Sequence, residues 1–162
     1  LTPQQDDLLQ WLRTRYPEHV SYERILSGPG IYTLYEYLVE SGFAPQPQSM
    51  MHIPQGKDRS ALVSECALSE GDPLCVETLR LFAQIYGAEA GNLALKSMSL
   101  GGVYIGGGIA PKILPMLTDS HFMNAFVSKG RFEKMLRRMP VRVCLNPETA
   151  LLGAAYFAHD TL

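Results

Sequence analysis

YIGGGIAPK, residues 104 to 112, sets three glycines directly after an apolar pair and reaches a proline three residues later. Three successive positions dispense with a side chain, which raises the question of what comes near the backbone there. A β-rich run that ends in glycines and passes into a helix opening at Pro111 leaves N–H groups pointing outward at the positive end of the helix dipole. That arrangement suits a phosphate, or lets a flat ring lie along bare peptide. Gly106, Gly107 and Gly108 can serve this purpose. They serve equally as a tight turn that needs positive φ at one or two positions. A second segment of the same kind is LSGPG, residues 26 to 30, where Ser27 can cap a helix and Gly28 and Gly30 open the backbone. Together the two junctions suggest a nucleotide pocket shared between two helix N-termini. Neither segment contains GxxxxGK followed by Ser or Thr, and neither is GxGxxG, so phosphate-loop and dinucleotide-binding readings are excluded.

The rest of the chain bounds what such a pocket belongs to. With 162 residues, 46% of them hydrophobic, residues 1–162 have the size of a single domain able to bury a core. A net charge of -2, from 14 Lys and Arg against 16 Asp and Glu, gives no electrostatic footprint for nucleic acid. The one dense basic run, KMLRR at 134 to 138, reads as a solvated helix face. Cys66, Cys75 and Cys144 show no CxxC spacing and have little histidine nearby, so neither a disulfide framework nor a metal site is expected, and a reducing cytoplasm is the default. No apolar run approaches the roughly 20 residues a bilayer crossing needs, so no membrane partner is expected. The first residue is Leu1 rather than Met, as in a processed or excerpted chain.

Local patterns give mostly helices. TPQQDDLLQWLRTRYP opens with Thr2 as N-cap, Pro3 in the first turn and Gln5 closing a capping box, carries Leu8, Leu9, Trp11, Leu12 and Tyr16 on its apolar side, and stops at Pro17. IYTLYEYLVESG keeps helical spacing until Gly42. Residues 43 to 57 carry three prolines without a period and read as a loop, and a helix is expected from Asp58 to Leu68. From Asp72 as cap and Pro73 as first residue, a helix of about seven turns follows. Gly87 and Gly91 inside it each cost roughly 1 kcal/mol relative to alanine, which close packing against another element would explain. SHFMNAFVSKG and RFEKMLRRM look helical, and VRVCL, residues 141 to 145, is a buried-strand candidate. The last segment, NPETALLGAAYFAHD, takes Asn146 as cap and Pro147 in its first turn. The expected class is α/β, helix-rich with a few short strands.

Four of these segments, in this order, resemble one known family. SYERILSGPGIYTLYEYL, AGNLALKSMSLGGVYIGGGIAPK, SKGRF and NPETALLGAA are similar to the C-terminal half of the bacterial glucokinases, ATP-dependent sugar kinases of the actin/hexokinase superfold, which is ribonuclease H-like. The resemblance runs over essentially all 162 residues. It implies that Gly106, Gly107, Gly108 and the following Ile109 belong to the adenosine-binding segment. Ser27, Gly28 and Gly30 would then lie on the other side of a nucleotide cleft. Glu23 corresponds to a glutamate that accepts hydrogen bonds from glucose hydroxyls, a role suited to a carboxylate with two acceptor oxygens. Without the resemblance, Glu23 reads as a surface residue pairing with Arg24 or with a helix terminus.

The family's DxGGT, catalytic aspartate and GEGGH segments are not found in this chain. The six aspartates, Asp6, Asp7, Asp58, Asp72, Asp119 and Asp160, fall at helix starts, in turns or at the C-terminal end, and none reads as a buried base. The resemblance therefore implies a C-terminal half starting just beyond GEGGH. In the whole protein it implies transfer of the γ-phosphoryl group of ATP, with magnesium, to the 6-hydroxyl of glucose at the start of glycolysis, with the catalytic residues supplied by a missing N-terminal domain and this half inactive alone. The alternative is a non-catalytic sugar-sensing or regulatory protein on the same superfold. Met50, Met51, Tyr32 and the FAHD tail, residues 157 to 160, are candidates for a homodimer contact.

Overall fold

The computed structural model describes residues 2 to 161, the side chain of Thr161 excepted. Two compact units divide the chain, Leu1–Tyr86 and Gly87–Leu162.

The first unit is helical. Helix α1, Pro3–Arg15, begins as a reciprocal capping box: the Gln5 N–H donates to the Thr2 hydroxyl at 3.3 Å, and the Thr2 N–H donates to Gln5 Oε1 at 3.3 Å. It buries Leu8 and Leu12, and its Trp11 ring meets Tyr37 edge-on at 5.6 Å. Helix α2, Gly28–Glu40, turns Ile31, Leu34, Tyr35 and Leu38 into the core. Helix α3, Gln48–Met51, is a single turn inside the stretch expected to be a loop. Pro47, in extended conformation at its N-cap, presets the entry to that turn, and Met50 at its centre is 5% exposed. Helix α4, Arg59–Glu65, is capped by Asp58, whose Oδ1 accepts from the N–H groups of Ser60 and Ala61, and it packs on α2. A π-helical segment, Cys66–Glu70, continues it and stops at Gly71, where φ is 69°. Asp72 then caps α5, Pro73–Lys96, accepting from the N–H groups of Leu74 and Cys75 at 3.0 Å each.

The second unit takes the last turns of α5. Its packing explains both helix glycines. A Cβ on Gly87 would stand 2.2 Å from the carbonyl oxygen of Phe122, and one on Gly91 would stand 2.3 Å from that of Phe126. Both carbonyls belong to α7, Ser120–Val127, so two helix backbones meet with only hydrogens between them. Strand β1, Val103–Ile105, pairs in parallel with β2, Val141–Val143, in the register Val103 to Val141, Tyr104 to Arg142 and Ile105 to Val143. The connection between them carries α6, Leu114–Thr118, then α7, a 3₁₀ turn at Gly130–Phe132 and α8, Glu133–Leu136. Strand β2 is half-exposed, with Arg142 outward, rather than the fully buried strand its β-branched content suggested. Helix α9, Thr149–Thr161, starts two residues later than Pro147, because Asn146 Oδ1 and the Asn146 carbonyl hold Glu148 and Thr149 in a turn first.

Trp11 also donates from Nε1 to Glu40 Oε2 at 2.8 Å, while Arg15 bridges Glu40 at 2.5 Å. The Arg15 and Trp11 hydrogen bonds hold the Glu40 carboxyl below its ordinary value, so the contact is present above the usual glutamate pKa of about 4.3 and is lost as pH falls through the lower folded value. Because the chain has one tryptophan, its fluorescence should shift in that acid window and lose the step in Glu40→Gln. A second expectation concerns sign. Gly87→Ala and Gly91→Ala should each destabilise in urea unfolding, since overpacking against backbone costs about 1–3 kcal/mol and outweighs the roughly 1 kcal/mol gain in helix propensity. Gly153→Ala, on α9 with nothing within 4 Å of the added Cβ, should stabilise.

Candidate functional site

The proposed site residues fall into two groups, one in each unit. In the first unit, Glu23 sits in the 3₁₀ turn Tyr22–Arg24, exposed, two residues after the extended Ser21. Its carboxylate carries no hydrogen bond or ion pair among the described residues. The pairing with Arg24 does not form, because the Arg24 guanidinium lies over the Tyr16 ring at 4.1 Å. A carboxylate left open on a short, fixed turn is an available acceptor.

The helix start that follows is built by Ser27. Its hydroxyl accepts from the Gly30 N–H at 3.1 Å, and Pro29 occupies the first turn, where a missing N–H costs nothing. The two glycines differ in kind. A Cβ on Gly30 would lie 2.0 Å from the Ile25 carbonyl oxygen, so this buried position must be glycine for internal reasons. Gly28 is half-buried, meets nothing within 4 Å of an added Cβ, and its N–H has no protein partner among the described residues. At the N-terminus of a 13-residue helix, an open N–H of this kind favours an anion.

In the second unit, Gly106, Gly107 and Gly108 follow β1 and are all exposed. An added Cβ would meet nothing within 4 Å at any of the three, and only Gly107, at φ 96°, needs glycine for its backbone conformation. Gly106 and Gly108 thus have no reason within the chain to lack a side chain. The helix expected at Pro111 does not begin there. The Ile109 carbonyl accepts from both Lys112 and Ile113, which spends residues 109 to 113 on a turn, and α6 starts at Leu114. The glycines therefore present bare, exposed peptide without a helix dipole directly behind them. Ile109, next in the chain, is half-buried.

Beside the strand end an apolar pocket of about 380 Å³ is lined by Ile105, Leu117, Phe122, Met123, Val143 and Leu145. Thr118 is the one polar side chain in its lining, so it suits an apolar insertion better than a phosphorylated ligand. The aspartates offer no buried base. Asp58, Asp72 and Asp119 cap helices, Asp6 and Asp7 are exposed on α1, and Asp160 is exposed on α9. Spacing gave no sign of one further cluster: Cys66 and Cys75 come together with Asp72, because the π-helical segment and Gly71 fold the intervening residues back on themselves. Of the residues offered for a homodimer contact, Met50 is in the core and unavailable, while Met51 and Phe157 are exposed. Tyr32 stacks on Tyr35 beneath Arg59.

Residues 1–161 match the glucokinase family model. The chain belongs to the glucokinase family. Among curated glucokinases, that of Nostoc punctiforme is 40% identical over 93% of this chain and 48% of its own length. The glucokinase of Psychromonas ingrahamii is 40% identical over 99% of this chain and 47% of its own. A crystal structure of glucokinase from an Antarctic psychrotroph superposes with a TM-score of 0.81 at 34% identity, covering 99% of this chain and 47% of that one. The helix-rich α/β architecture is thus shared with a glucokinase structure, and the chain spans about half the length of these relatives.

The three exposed glycines should separate in folding experiments. Gly106→Ala and Gly108→Ala should leave thermal unfolding within about 0.5 kcal/mol of the parent, as unconstrained surface changes do. Gly107→Ala should cost about 1–3 kcal/mol, the strain of a side chain at that φ.

Proposed function

We propose that this chain is the adenosine- and sugar-contacting half of a glucokinase, and that the whole protein transfers the γ-phosphoryl group of ATP, taken up with magnesium, to the 6-hydroxyl of glucose. The observation that carries this reading is the family match from residue 1 to residue 161, combined with coverage of under half of each relative. In the reaction, the bond between the γ-phosphorus and the bridging oxygen of ADP breaks, a bond to the sugar oxygen forms, and the hydroxyl proton passes to a base. None of the aspartates here is buried, which supports a base supplied by another part of the protein.

This chain's residues then have positioning roles. Gly106 and Gly108, with Gly107 and Ile109, offer exposed peptide against which adenosine can lie. Gly28 at the start of α2 offers an N–H to a phosphate oxygen, Ser27 orders that helix start, and Gly30 lets it pass close over Ile25. Glu23 accepts hydrogen bonds from glucose hydroxyls and orients the sugar. The product, glucose 6-phosphate, is the entry point of glycolysis, and three free cysteines fit a reducing cytoplasm. No helix among the described residues is long and apolar enough to cross a membrane.

Two features support a missing partner half. Residues 149 to 160 of α9 are exposed on every side, with Leu151, Tyr156 and Phe157 each at least 70% exposed. Strands β1 and β2 form a two-stranded parallel sheet, whereas parallel sheets ordinarily have more strands and both faces covered. A half-chain that shares its core with the rest of the protein accounts for both.

Calorimetry of the 162-residue chain with a non-hydrolysable ATP analogue should show saturable binding. Gly106→Ala and Gly108→Ala should weaken it without changing stability, and a coupled assay should detect no glucose 6-phosphate. Absence of saturable binding would remove the adenosine role, and turnover by this chain alone would remove the division of labour. In the whole protein, Glu23→Gln should raise the KM for glucose roughly 10–100-fold, the loss of a hydrogen bond to a charged acceptor.

A further inference from the structure

The turn between α4 and α5 gathers two thiols and two carboxylates that the sugar kinase reading does not use. The Cys66 and Cys75 sulfurs and a carboxylate oxygen of Asp72 lie within 4.8 Å of one another. Cys66 is 2% exposed and Cys75 is 0% exposed, and Asp72 is half-buried. Glu70 adds a fourth donor: its Oε2 accepts from the Cys66 thiol at 3.4 Å and from the Ser49 hydroxyl at 3.1 Å.

Local structure fixes each group. Cys66 closes α4, its N–H donating to the Leu62 and Val63 carbonyls, and opens the π-helical segment, a kind of segment that recurs at functional positions. Gly71, in the left-handed conformation, reverses the chain between Glu70 and Asp72. Asp72 Oδ1 is pinned by the N–H groups of Leu74 and Cys75, and Cys75 stands in the first turn of a 24-residue helix, where the positive dipole end favours a thiolate. Tyr35 is the other titratable side chain facing Cys75. Without a cation, burial pushes both thiols upward in pKa, so both are protonated at neutral pH.

We propose that Cys66, Cys75 and Asp72, with Glu70 as fourth donor, form a site for a thiophilic divalent cation of the zinc(II) class. Two sulfurs and two carboxylate oxygens make a tetrahedral set for such an ion. Such an ion holds sulfur at about 2.3 Å and oxygen at about 2.0–2.2 Å, so Cys66, Cys75 and Asp72 would draw together from their present spacing and Glu70, which stands outside that trio and is joined to it through the Cys66 thiol, would swing in. On binding, two metal–sulfur and two metal–oxygen bonds form, the two thiol protons leave to solvent, and no electron is transferred. A filled site would tie the end of α4 to the start of α5.

The test uses the full 162-residue chain, reduced and stripped with EDTA. It is titrated with cobalt(II) as a spectroscopic probe and with zinc(II) against a chromophoric chelator. The expected result is one cation per chain, with a thiolate-to-cobalt charge-transfer band and the intense visible absorption of tetrahedral cobalt, both discharged by zinc. Cys66→Ser and Cys75→Ser should each remove the charge-transfer band and weaken zinc by more than the roughly 10–100-fold that loss of an outer-sphere partner costs. Cys144→Ser should change neither. Circular dichroism checks the fold of every variant, and the parent cobalt spectrum decides the matter where a variant does not fold. An octahedral cobalt spectrum without charge transfer would overturn the site. So would zinc affinity indifferent to Cys66 and Cys75, or recovery of the pair as a disulfide with no cation bound.

Discussion

Two carbonyl oxygens, those of Phe122 and Phe126, occupy the space where side chains at positions 87 and 91 would begin. The second unit depends on that approach. It sets α7 against the end of α5 and buries Phe122 and Phe126 with their rings 6.4 Å apart. Both ends of the intervening segment, which carries β1 and the glycine triplet, are thereby fixed. The same device recurs where Gly30 admits the Ile25 carbonyl and where Gly102, at φ 124°, admits that of Pro140 as it accepts from Val103 and leads into the sheet. Backbone, rather than side-chain interdigitation, makes the closest contacts at these crossings.

Apart from those held by a positive φ alone, such as Gly71 and Gly107, the glycines consequently divide into two kinds that look identical in sequence. Gly30, Gly87, Gly91 and Gly102 are demanded by a neighbouring carbonyl. Gly28, Gly106 and Gly108 are demanded by nothing inside the chain. Chemistry facing outward is the natural place to seek their reason, in keeping with the ligand contacts proposed for them.

Helix starts were legible because their signals are local. Thr2 with Gln5, Asp58, and Asp72 with Pro73 each act within four residues, and the structure has all three. Close packing of Gly87 and Gly91 was legible as a cost without a visible benefit, although the partner helix was not. What escaped depended on competition or on distance. Pro111 signalled a helix, but the Ile109 carbonyl had already captured two N–H groups in a turn. Met50 read as surface because its flanking prolines hide a single helical turn that carries it inward. The thiol cluster escaped because CxxC spacing presumes a tight loop, whereas here a π-helical segment and one left-handed glycine supply the reversal.

The parallel pair formed by β1 and β2 has a wider consequence. Neither strand has a further strand beside it among the described residues, so each leaves a row of amide and carbonyl groups along its outer margin. Such a margin is a template for annealing with any extended peptide, and a second copy of the same molecule is always the nearest one. Self-association of this chain should therefore rise with protein concentration.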